Sequence, residues 1–297
     1  MEASPGLSAK LGVPAWLKLE SLQLTGSFKF RGALFRLSRA SESERRNGII
    51  TCSAGNHGKA VAYAARELGM RATIYTPKNV DQAKYRGMVA FGADVKVSPS
   101  PSYDDTEDLA LEDARKTGRP FISAFDDAAV MAGNGGSLAA EIVEDLPEVK
   151  NFILPVGGGG MSAGLALYVK EKVRGARLIG CQLEVTPALK LSLERGSAVT
   201  RMPSGESLAA GIEGGIGAET FEVLKTRVDD TPLVDDREIC EAMRWMVEEH
   251  QYLIEPTDAA VLAACLSGKV APLDAPAVVV ISGRNVSSET ARMILCS

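Results

Sequence analysis

Several residue types are scarce in this sequence, and each scarcity argues against a class of protein. The chain has only two histidines, His57 and His250, which are far apart, so a histidine-rich metal centre is not expected. Its five cysteines are scattered and include no C-x-x-C pair, a pattern that suits reduced thiols better than disulfides or a zinc site. The longest apolar runs, such as AVVVI at 277–281, are far shorter than the roughly 20 residues that cross a bilayer.

The sequence also lacks an excess of positive charge. Its net charge is -5, and it contains no Lys/Arg run, so neither a nucleic-acid partner nor a membrane partner is expected. The opening MEASPGLSAKLG has no basic-then-apolar signal pattern, and we expect a cytoplasmic protein. A hydrophobic content of 45% and a charged content of 24% over 297 residues are typical of a soluble globular protein with an adequate core.

Short apolar runs alternate with amphipathic segments along most of the chain. Continuous Val/Ile/Leu runs are typical of strands buried on both faces, and the segments between them are long enough to connect parallel strands. The predicted strands lie within 13–20, 48–53, 71–76, 94–98, 121–125, 151–156, 176–182 and 276–282. The predicted helices cover 56–68, 81–91, 103–117, 128–145, 162–173, 236–250 and 257–266. This order predicts a doubly wound α/β protein, with ligands at the carboxyl ends of the strands.

The segment GGGGMSAG at 157–164 follows the run NFILPV and opens a predicted helix. Consecutive glycines let backbone N–H groups approach an anion, and the start of a helix adds a favourable partial charge. A dinucleotide fingerprint also fits formally from Gly158 to Ala163, and Glu184 lies near the position of its acidic residue. A P-loop is excluded because no Lys-Ser/Thr pair follows. A phosphate cup, a dinucleotide site and a ligand-free turn therefore stay open.

Lys29 stands in the segment TGSFKFRGA, among glycines and aromatic residues. A lysine is ordinarily a solvated charge, but Phe28 and Phe30 on either side indicate a partly apolar pocket. Burial would lower the pKa of Lys29 and make its neutral amine available as a nucleophile or a base.

A second candidate segment, SAGNHG at 53–58, lies between a predicted strand and a predicted helix. Ser53 or Asn56 could simply cap the helix by accepting its free N–H groups. Alternatively, the turn holds a ligand. No Ser/Asp partner pattern accompanies His57, so the residues alone do not identify it as a base.

Five segments, in this order, resemble the serine/threonine dehydratases and serine racemases: LKLESLQLTGSFKFRGA, SAGNHG, MAGNGGSLAAE, GGGGMSAG and ISGRN. Members of that family use pyridoxal 5'-phosphate (PLP) and have the tryptophan-synthase β-like fold. The resemblance covers nearly the whole chain. It implies two doubly wound three-layer α/β domains with parallel sheets and PLP in the cleft between them. The large PLP-binding domain would comprise 1–47 and 126–297, and the small, mobile substrate-binding domain 48–125. A homodimer is also implied.

The resemblance gives each ambiguous segment a role. Lys29 matches the lysine that forms a Schiff base with PLP and removes the Cα proton of the substrate. The other implied cofactor contacts are Phe28 and Gly211 on the two faces of the ring, Asn56 at the ring hydroxyl, Ser282 at the pyridine nitrogen, and Gly157, Gly158, Gly159, Gly160 and Met161 around the phosphate. The implied substrate-binding loop is Ser53, Ala54, Gly55, Asn56 and His57.

The implied reaction is the loss of water from a β-hydroxy amino acid such as L-threonine or L-serine, which gives a 2-oxo acid and ammonia. A serine such as Ser282 cannot keep the pyridine ring protonated as an aspartate would, so the ring is expected to be a weaker electron sink. Three alternatives stay open: a dehydratase of an unusual hydroxy amino acid, as in hydroxyectoine breakdown, an amino acid racemase, and a non-catalytic PLP-binding protein.

The sequence departs from the family pattern at several positions. Ala54 stands where the racemases have a second serine, which disfavours racemisation because alanine cannot carry a proton. Gln182 and Ala188 stand where some members have the glutamate and aspartate that hold a divalent cation, so we expect no metal at that position. Asn134 replaces a usual glutamine, and Arg284 replaces a usual glycine and could read an extra acidic group of the substrate or only lie at the surface.

Overall fold

The computed structural model of the protein describes residues 1–203, 206–270 and 272–296. The strands are β1 (Glu2–Ala3), β2 (Ala15–Leu19), β3 (Ile49–Cys52), β4 (Ala72–Thr76), β5 (Asp94–Val97), β6 (Asn151–Pro155), β7 (Arg177–Leu183), β8 (Leu233–Val234) and β9 (Ala277–Ile281). The first seven α-helices are α1 (Pro5–Leu11), α2 (Lys29–Ser38), α3 (Glu42–Asn47), α4 (Asn56–Glu67), α5 (Gln82–Ala90), α6 (Tyr103–Thr117) and α7 (Ala128–Met131). The others are α8 (Ser137–Asp145), α9 (Gly160–Lys172), α10 (Ala188–Arg195), α11 (Ala218–Leu224), α12 (Asp236–His250), α13 (Pro256–Leu266) and α14 (Ser288–Leu295).

The larger sheet has six strands in the order β1-β2-β9-β6-β7-β8. Its strands pair in parallel, apart from the two-residue edge strand β1, which is antiparallel to β2. Every residue of the central strands β6 and β9 is buried, as the continuous apolar runs predict. Separate apolar clusters cover the two faces of this sheet, one including α12 and α13 and the other including α8 and α9.

The smaller sheet has three parallel strands in the order β3-β4-β5. The strand predicted at 121–125 is not formed, and this segment contributes only an isolated bridge between Ile50 and Phe121. The hydroxyl of Ser123 accepts hydrogen bonds from the amides of Phe125 and Asp126, which turns the chain away from the sheet. The predicted α/β class with parallel sheets is confirmed.

The single helix predicted over 128–145 is instead divided by a π-helical turn, Ala132–Gly136, between α7 and α8. Gly135 and Gly164 lie where the backbones of this turn and of α9 meet, and a Cβ on either glycine would overlap a backbone carbonyl oxygen. Inside the turn, Asn134 Oδ1 accepts the amide of Gly32 at 2.8 Å. Asn134 therefore fixes α2 against this turn.

Helix α2 is an unpredicted element, and it lies between the two sheets. Its residues Ala33 and Leu37 belong to the same buried cluster as Ile49 of β3 and Val61 of α4. The helix starts at Lys29, so the packing of α2 against the smaller sheet determines where the lysine amine lies.

Candidate active site

The backbone around Lys29 is attached to the end of β9. The amide of Phe28 donates to the carbonyl of Ser282 at 2.9 Å, and Ser27 forms an isolated bridge with Gly283. These contacts place the first residue of α2 beside the carboxyl end of a central strand. Lys29 and Ser282, which are far apart in sequence, therefore lie in the same part of the cleft, as the resemblance implies.

The amine of Lys29 is enclosed although part of the residue remains accessible to solvent. Its Nζ donates to the carbonyl oxygen of Ala124 at 2.9 Å and lies 5.1 Å from the centre of the Phe28 ring. Burial lowers the pKa of Lys29 to about 8, and the negative charge of Glu255 opposes this shift. A lysine with this pKa supplies a substantial fraction of neutral amine near neutral pH.

The glycine run connects β6 to α9. Gly159 has a φ of 89°, a left-handed conformation that glycine adopts without strain. A Cβ on Gly160 would lie 2.8 Å from Cα of Phe125, so the backbone there can approach its neighbour only because the residue is glycine. Helix α9 begins at Gly160, and its first amides have no acceptor within the helix. These donors, at the positive end of the helix dipole, are suited to a phosphate group.

Gly211 lies next to this run. Its carbonyl oxygen is 3.1 Å from the position that a Cβ of Gly157 would occupy, and its amide donates to Oγ1 of Thr257 at 3.1 Å. A side chain on Gly211 would overlap Thr257. The structure thus brings Gly211, the glycine run and α13 together.

The loop at 53–57 is held by the hydroxyl of Ser53. Its Oγ accepts the amides of Gly55 at 3.0 Å and of Gly58 at 2.8 Å. Ala54 is exposed, whereas Ser53 is buried. The loop therefore presents the start of α4 to the cleft in a fixed shape.

His57 is buried against strand β3. Its Nε2 lies 3.0 Å from Oγ1 of Thr51, while no hydrogen-bond partner of its Nδ1 is found in the described part of the chain. Burial, then the charge of Lys29, lowers the pKa of His57 to about 3. The imidazole is therefore neutral at physiological pH. The contact with Thr51 attaches the loop at 53–57 to strand β3. A contact between His57 and a substrate stays a prediction.

Asn56 belongs to a polar network that joins the two sheets. Its Nδ2 donates to Oε1 of Glu255 at 2.6 Å, and its Oδ1 accepts from Nδ2 of Asn285 at 2.7 Å. Lys59 donates to Oδ1 of Asn285 at 2.9 Å. One N–H of the Asn56 amide remains for another acceptor. Glu255 and Asn285 were not selected by the sequence reasoning, although a charged residue inside the apolar segment LIEPTDAAVL is a signal that could have identified Glu255.

Gln182 stands where the family resemblance implies a cation-binding glutamate in some members, and here its side chain makes hydrogen bonds within the protein. Its Oε1 accepts the amide of Lys190 at 3.0 Å, and its Nε2 donates to the carbonyl of Val156 at 3.3 Å. The amide thus joins the end of β7 to α10. Among the described residues, no group of three or more His, Cys, Asp or Glu side chains is arranged to hold a metal ion.

Arg284 is exposed and follows the buried residues Ser282 and Gly283 after the end of β9. Burial lowers the pKa of Lys59, and the positive charge of Arg284 lowers it further. Arg284 thus lies close enough to the Asn56 network to add positive potential at the edge of the cleft.

The residues present fit PLP. The cofactor needs an amine for covalent attachment, backbone donors for its phosphate and polar groups around its ring. The enclosed Lys29 amine, the glycine-lined helix start and the Asn56 side chain can supply these groups. The backbone of Ser282 is hydrogen-bonded to that of Phe28, next to Lys29.

Comparison with known proteins leads to the same family of PLP-dependent enzymes that the sequence motifs resemble. The model of the family described as pyridoxal-phosphate dependent enzyme matches residues 1–283. The L-threonine ammonia-lyase of Geobacter sulfurreducens is 35% identical over 289 residues, which cover 97% of this chain and 71% of that protein.

Two solved structures are also similar over almost the whole chain. The processed form of threonine deaminase isoform 2 from Solanum lycopersicum superposes with a TM-score of 0.90 at 30% identity, over 99% of this chain and 81% of that one. Maize serine racemase has a TM-score of 0.91 at 28% identity, over 98% and 89% of the two chains. Within the residues that the structure describes, no helix combines the length and apolar character needed to cross a membrane. The chain belongs to the pyridoxal-phosphate dependent enzymes, in the group that includes the threonine dehydratases and serine racemases.

Proposed function

We propose that this enzyme is an ammonia-lyase that removes water from a β-hydroxy amino acid such as L-threonine or L-serine and releases a 2-oxo acid and ammonia. The observation that carries the proposal is the enclosed Lys29 amine, whose pKa is lowered to about 8, in one cleft with the Ser53 loop and the glycine run. The similarity to an L-threonine ammonia-lyase and to a threonine deaminase supports this choice of substrate.

The proposal assigns the cofactor to residues from both sides of the cleft. Lys29 would attach it covalently, the amides of Gly157 to Met161 would bind its phosphate, and Asn56 and Ser282 would contact its ring, with Phe28 and Gly211 on the two faces. When bound, PLP withdraws electrons from the substrate's Cα and so weakens the Cα–H bond. The protein supplies the orientation and the proton transfer.

Lys29 is the proposed base. With a pKa of about 8, the neutral fraction of its amine at pH 7 is about 300-fold larger than with the ordinary value of 10.5. The same amine can therefore attach the cofactor and, once displaced by the substrate, accept the proton from Cα. The carbonyl of Ala124 orients Nζ in the structure.

The loop at 53–57 is proposed to bind the substrate carboxylate. The amides of Gly55 and Gly58 are already bound to Ser53 Oγ. The amides of Asn56 and His57 lie in the first turn of α4 and have no acceptor in that helix. The positive end of the helix dipole adds to the attraction for an anion.

Ala54 makes elimination the favoured outcome. Its side chain is exposed and has no group that can carry a proton to the other face of the substrate. After Lys29 removes the Cα proton, no side-chain group at position 54 can donate a proton to the opposite face of Cα, so inversion is disfavoured. Instead, the β-hydroxyl takes up a proton, which Lys29 holds after accepting it from Cα, and leaves as water.

A hydroxy amino acid with an additional acidic group is the second candidate substrate. Arg284 is exposed and its charge acts on Lys59 at the edge of the cleft. The side-chain carboxylate of 3-hydroxyaspartate would be attracted there, and threonine and serine lack this second carboxylate. Faster turnover of 3-hydroxyaspartate than of threonine, lost in Arg284→Gly, would select this candidate.

Three further features belong to the proposal. Segment 48–125 would form the small, mobile domain, which the separate sheet β3-β4-β5 supports.

A homodimer is supported by Leu22 and Leu24, which are 50% and 68% exposed. A cytoplasmic location is supported by the five free cysteines. Light scattering coupled to size-exclusion chromatography would test the dimer, because a monomeric mass would contradict it.

The deciding assay is 2-oxo acid release from threonine, serine and 3-hydroxyaspartate. We compare the wild type with Lys29→Ala and with Lys172→Ala, a control at an exposed lysine. Activity that is lost only in Lys29→Ala supports the proposal. Activity that survives in Lys29→Ala contradicts the role of this lysine, and no turnover of any of the three by protein that carries PLP contradicts the proposed substrates.

A further inference from the structure

Lys84 is a partly buried cation that the proposed mechanism does not use. It lies in the first turn of α5, where its amide donates to Oδ1 of Asp81 at 3.0 Å. The same carboxyl oxygen accepts the amide of Ala83, so Asp81 caps this helix. Within the described residues, no hydrogen bond or ion pair of the Lys84 amine is found. Its charge is therefore available to a ligand.

The side chain of Lys84 lies against the loop at 53–57. A Cβ on Gly55 would be 3.2 Å from Cδ of Lys84, 3.6 Å from its Cε and 3.4 Å from its Nζ. The stem of the lysine thus occupies the space beside Gly55 that a larger residue would need. The lack of a side chain at position 55 brings the ammonium group next to the backbone of this loop.

The loop offers free hydrogen-bond donors at this point. The amides of Asn56 and His57, which follow Gly55 directly, have no acceptor in the first turn of α4. The start of that helix carries a partial positive charge. Lys84 adds a full positive charge beside the same donors, so an anion bound there would meet both.

The charge of Lys84 also acts toward the inside of the cleft. Burial raises the pKa of Glu255, and the positive charge of Lys84 is the largest of the effects that oppose this rise. Glu255 is buried, and its Oε1 accepts Nδ2 of Asn56 at 2.6 Å. Because no ion pair between Lys84 and Glu255 is found in the described part of the chain, the lysine remains free to bind a second carboxylate.

We infer that Lys84 is a substrate-binding residue whose ammonium group pairs with the α-carboxylate of the amino acid. The carboxylate would accept hydrogen bonds from the amides of Asn56 and His57 and from Nζ of Lys84. A hydrogen bond between two charged groups is stronger than one between neutral groups. The inference rests on the proposed binding of the carboxylate by the loop at 53–57, and it adds a side-chain cation to the backbone donors.

This contact would make the enzyme select ligands with a free α-carboxylate. A purely structural role for Lys84, in which its charge only balances Glu255, predicts something else. Loss of the lysine would then disturb the Asn56 network and weaken all ligands of the cleft to the same extent. The two roles differ in whether the effect of Lys84 depends on the carboxylate of the ligand.

The test compares the binding of L-alanine and L-alaninamide to the enzyme that carries PLP, followed by the absorbance of the cofactor. L-Alanine has an α-carboxylate but no side-chain acid for Arg284, and L-alaninamide lacks the carboxylate. Lys84→Met should weaken L-alanine binding by about 10-fold and leave L-alaninamide binding nearly unchanged. Lys84→Arg should restore most of the affinity for L-alanine. Lys78→Met, at an exposed lysine, is the control and should bind both ligands like the wild type.

Unchanged L-alanine binding in Lys84→Met overturns the inference, and so does a loss of equal size for L-alaninamide. Neither ligand has a β-hydroxyl, so a failure of the proposed ammonia-lyase activity leaves these results unaffected. A wild type that binds L-alanine no more tightly than L-alaninamide contradicts the carboxylate site of the 53–57 loop as well. A wild type that prefers L-alanine, with the preference kept in Lys84→Met, overturns only the role of Lys84.

Discussion

Replacing Lys29 with methionine in the cofactor-free protein should increase its stability at neutral pH. Methionine fills a similar volume without a charge. The pKa of Lys29 falls from 10.5 to about 8, which corresponds to roughly 3 kcal/mol at about 1.36 kcal/mol per unit. Partial access of solvent to the residue and loss of the hydrogen bond to Ala124 each reduce the gain. We expect about 2 kcal/mol of additional stability near pH 7.

The size of this stabilisation depends on pH. Because its pKa is lower in the folded state, Lys29 binds fewer protons there than in the unfolded chain between pH 8 and 10.5. The penalty for burying its charge is complete below pH 8 and disappears as the pH rises to 10.5. The advantage of Lys29→Met should therefore shrink through this window.

Urea unfolding of the cofactor-free proteins at several pH values measures the advantage directly. Lys172→Met, at a lysine whose side chain is 55% exposed, is the control and should change the free energy of unfolding by less than about 0.5 kcal/mol. An advantage of Lys29→Met that is equally large at pH 7 and near pH 10 would refute the lowered pKa. So would the absence of any advantage at pH 7.

Three other predictions concern the cleft and its surroundings. Gly160→Ala should destabilise the protein by about 1–3 kcal/mol and weaken PLP binding, because the new Cβ would overlap the backbone of Phe125. Thermal melting would measure the loss of stability, and a PLP titration would measure the weaker binding. Ala54→Ser should introduce a measurable rate of D-serine formation from L-serine, since the hydroxyl adds a proton carrier. EDTA should leave both the melting temperature and the activity unchanged, because Gln182 makes direct hydrogen bonds within the protein.

Each of these predictions has an opposing outcome. For Gly160→Ala, the control is Gly87→Ala, because a Cβ on Gly87 would have its nearest neighbouring atom at 3.6 Å. Equal effects of the two substitutions would contradict the close approach of the backbones at Gly160. If the Ala54→Ser variant forms only the 2-oxo acid and no D-serine, residue 54 does not decide between elimination and racemisation. Activity that EDTA abolishes and Mg²⁺ restores would show that the enzyme depends on a cation.

The fold class could be predicted from the sequence alone, and so could the contiguous segments proposed for the site. Apolar runs and helical periodicity depend on neighbouring residues, so the predicted α6 and α12 have the observed bounds. The glycine run and the loop at 53–57 were found for the same reason. Helix α2 was missed because aromatic residues and Gly32 obscure its pattern. The strand predicted at 121–125 is not formed, because the Ser123 turn ends the extended segment.

Which distant side chains meet depends on the packed fold. The partners of Asn56 are 199 and 229 residues away in the sequence, at Glu255 and Asn285. The hydrogen bond from the amide of Ser282 to Oδ1 of Asp258 likewise depends on how α13 packs against β9. A pKa is set by burial and by the charges nearby in space, and neither can be read from a linear pattern. The chain could therefore be assigned to its family from local motifs, while the electrostatics of the site required the packed fold.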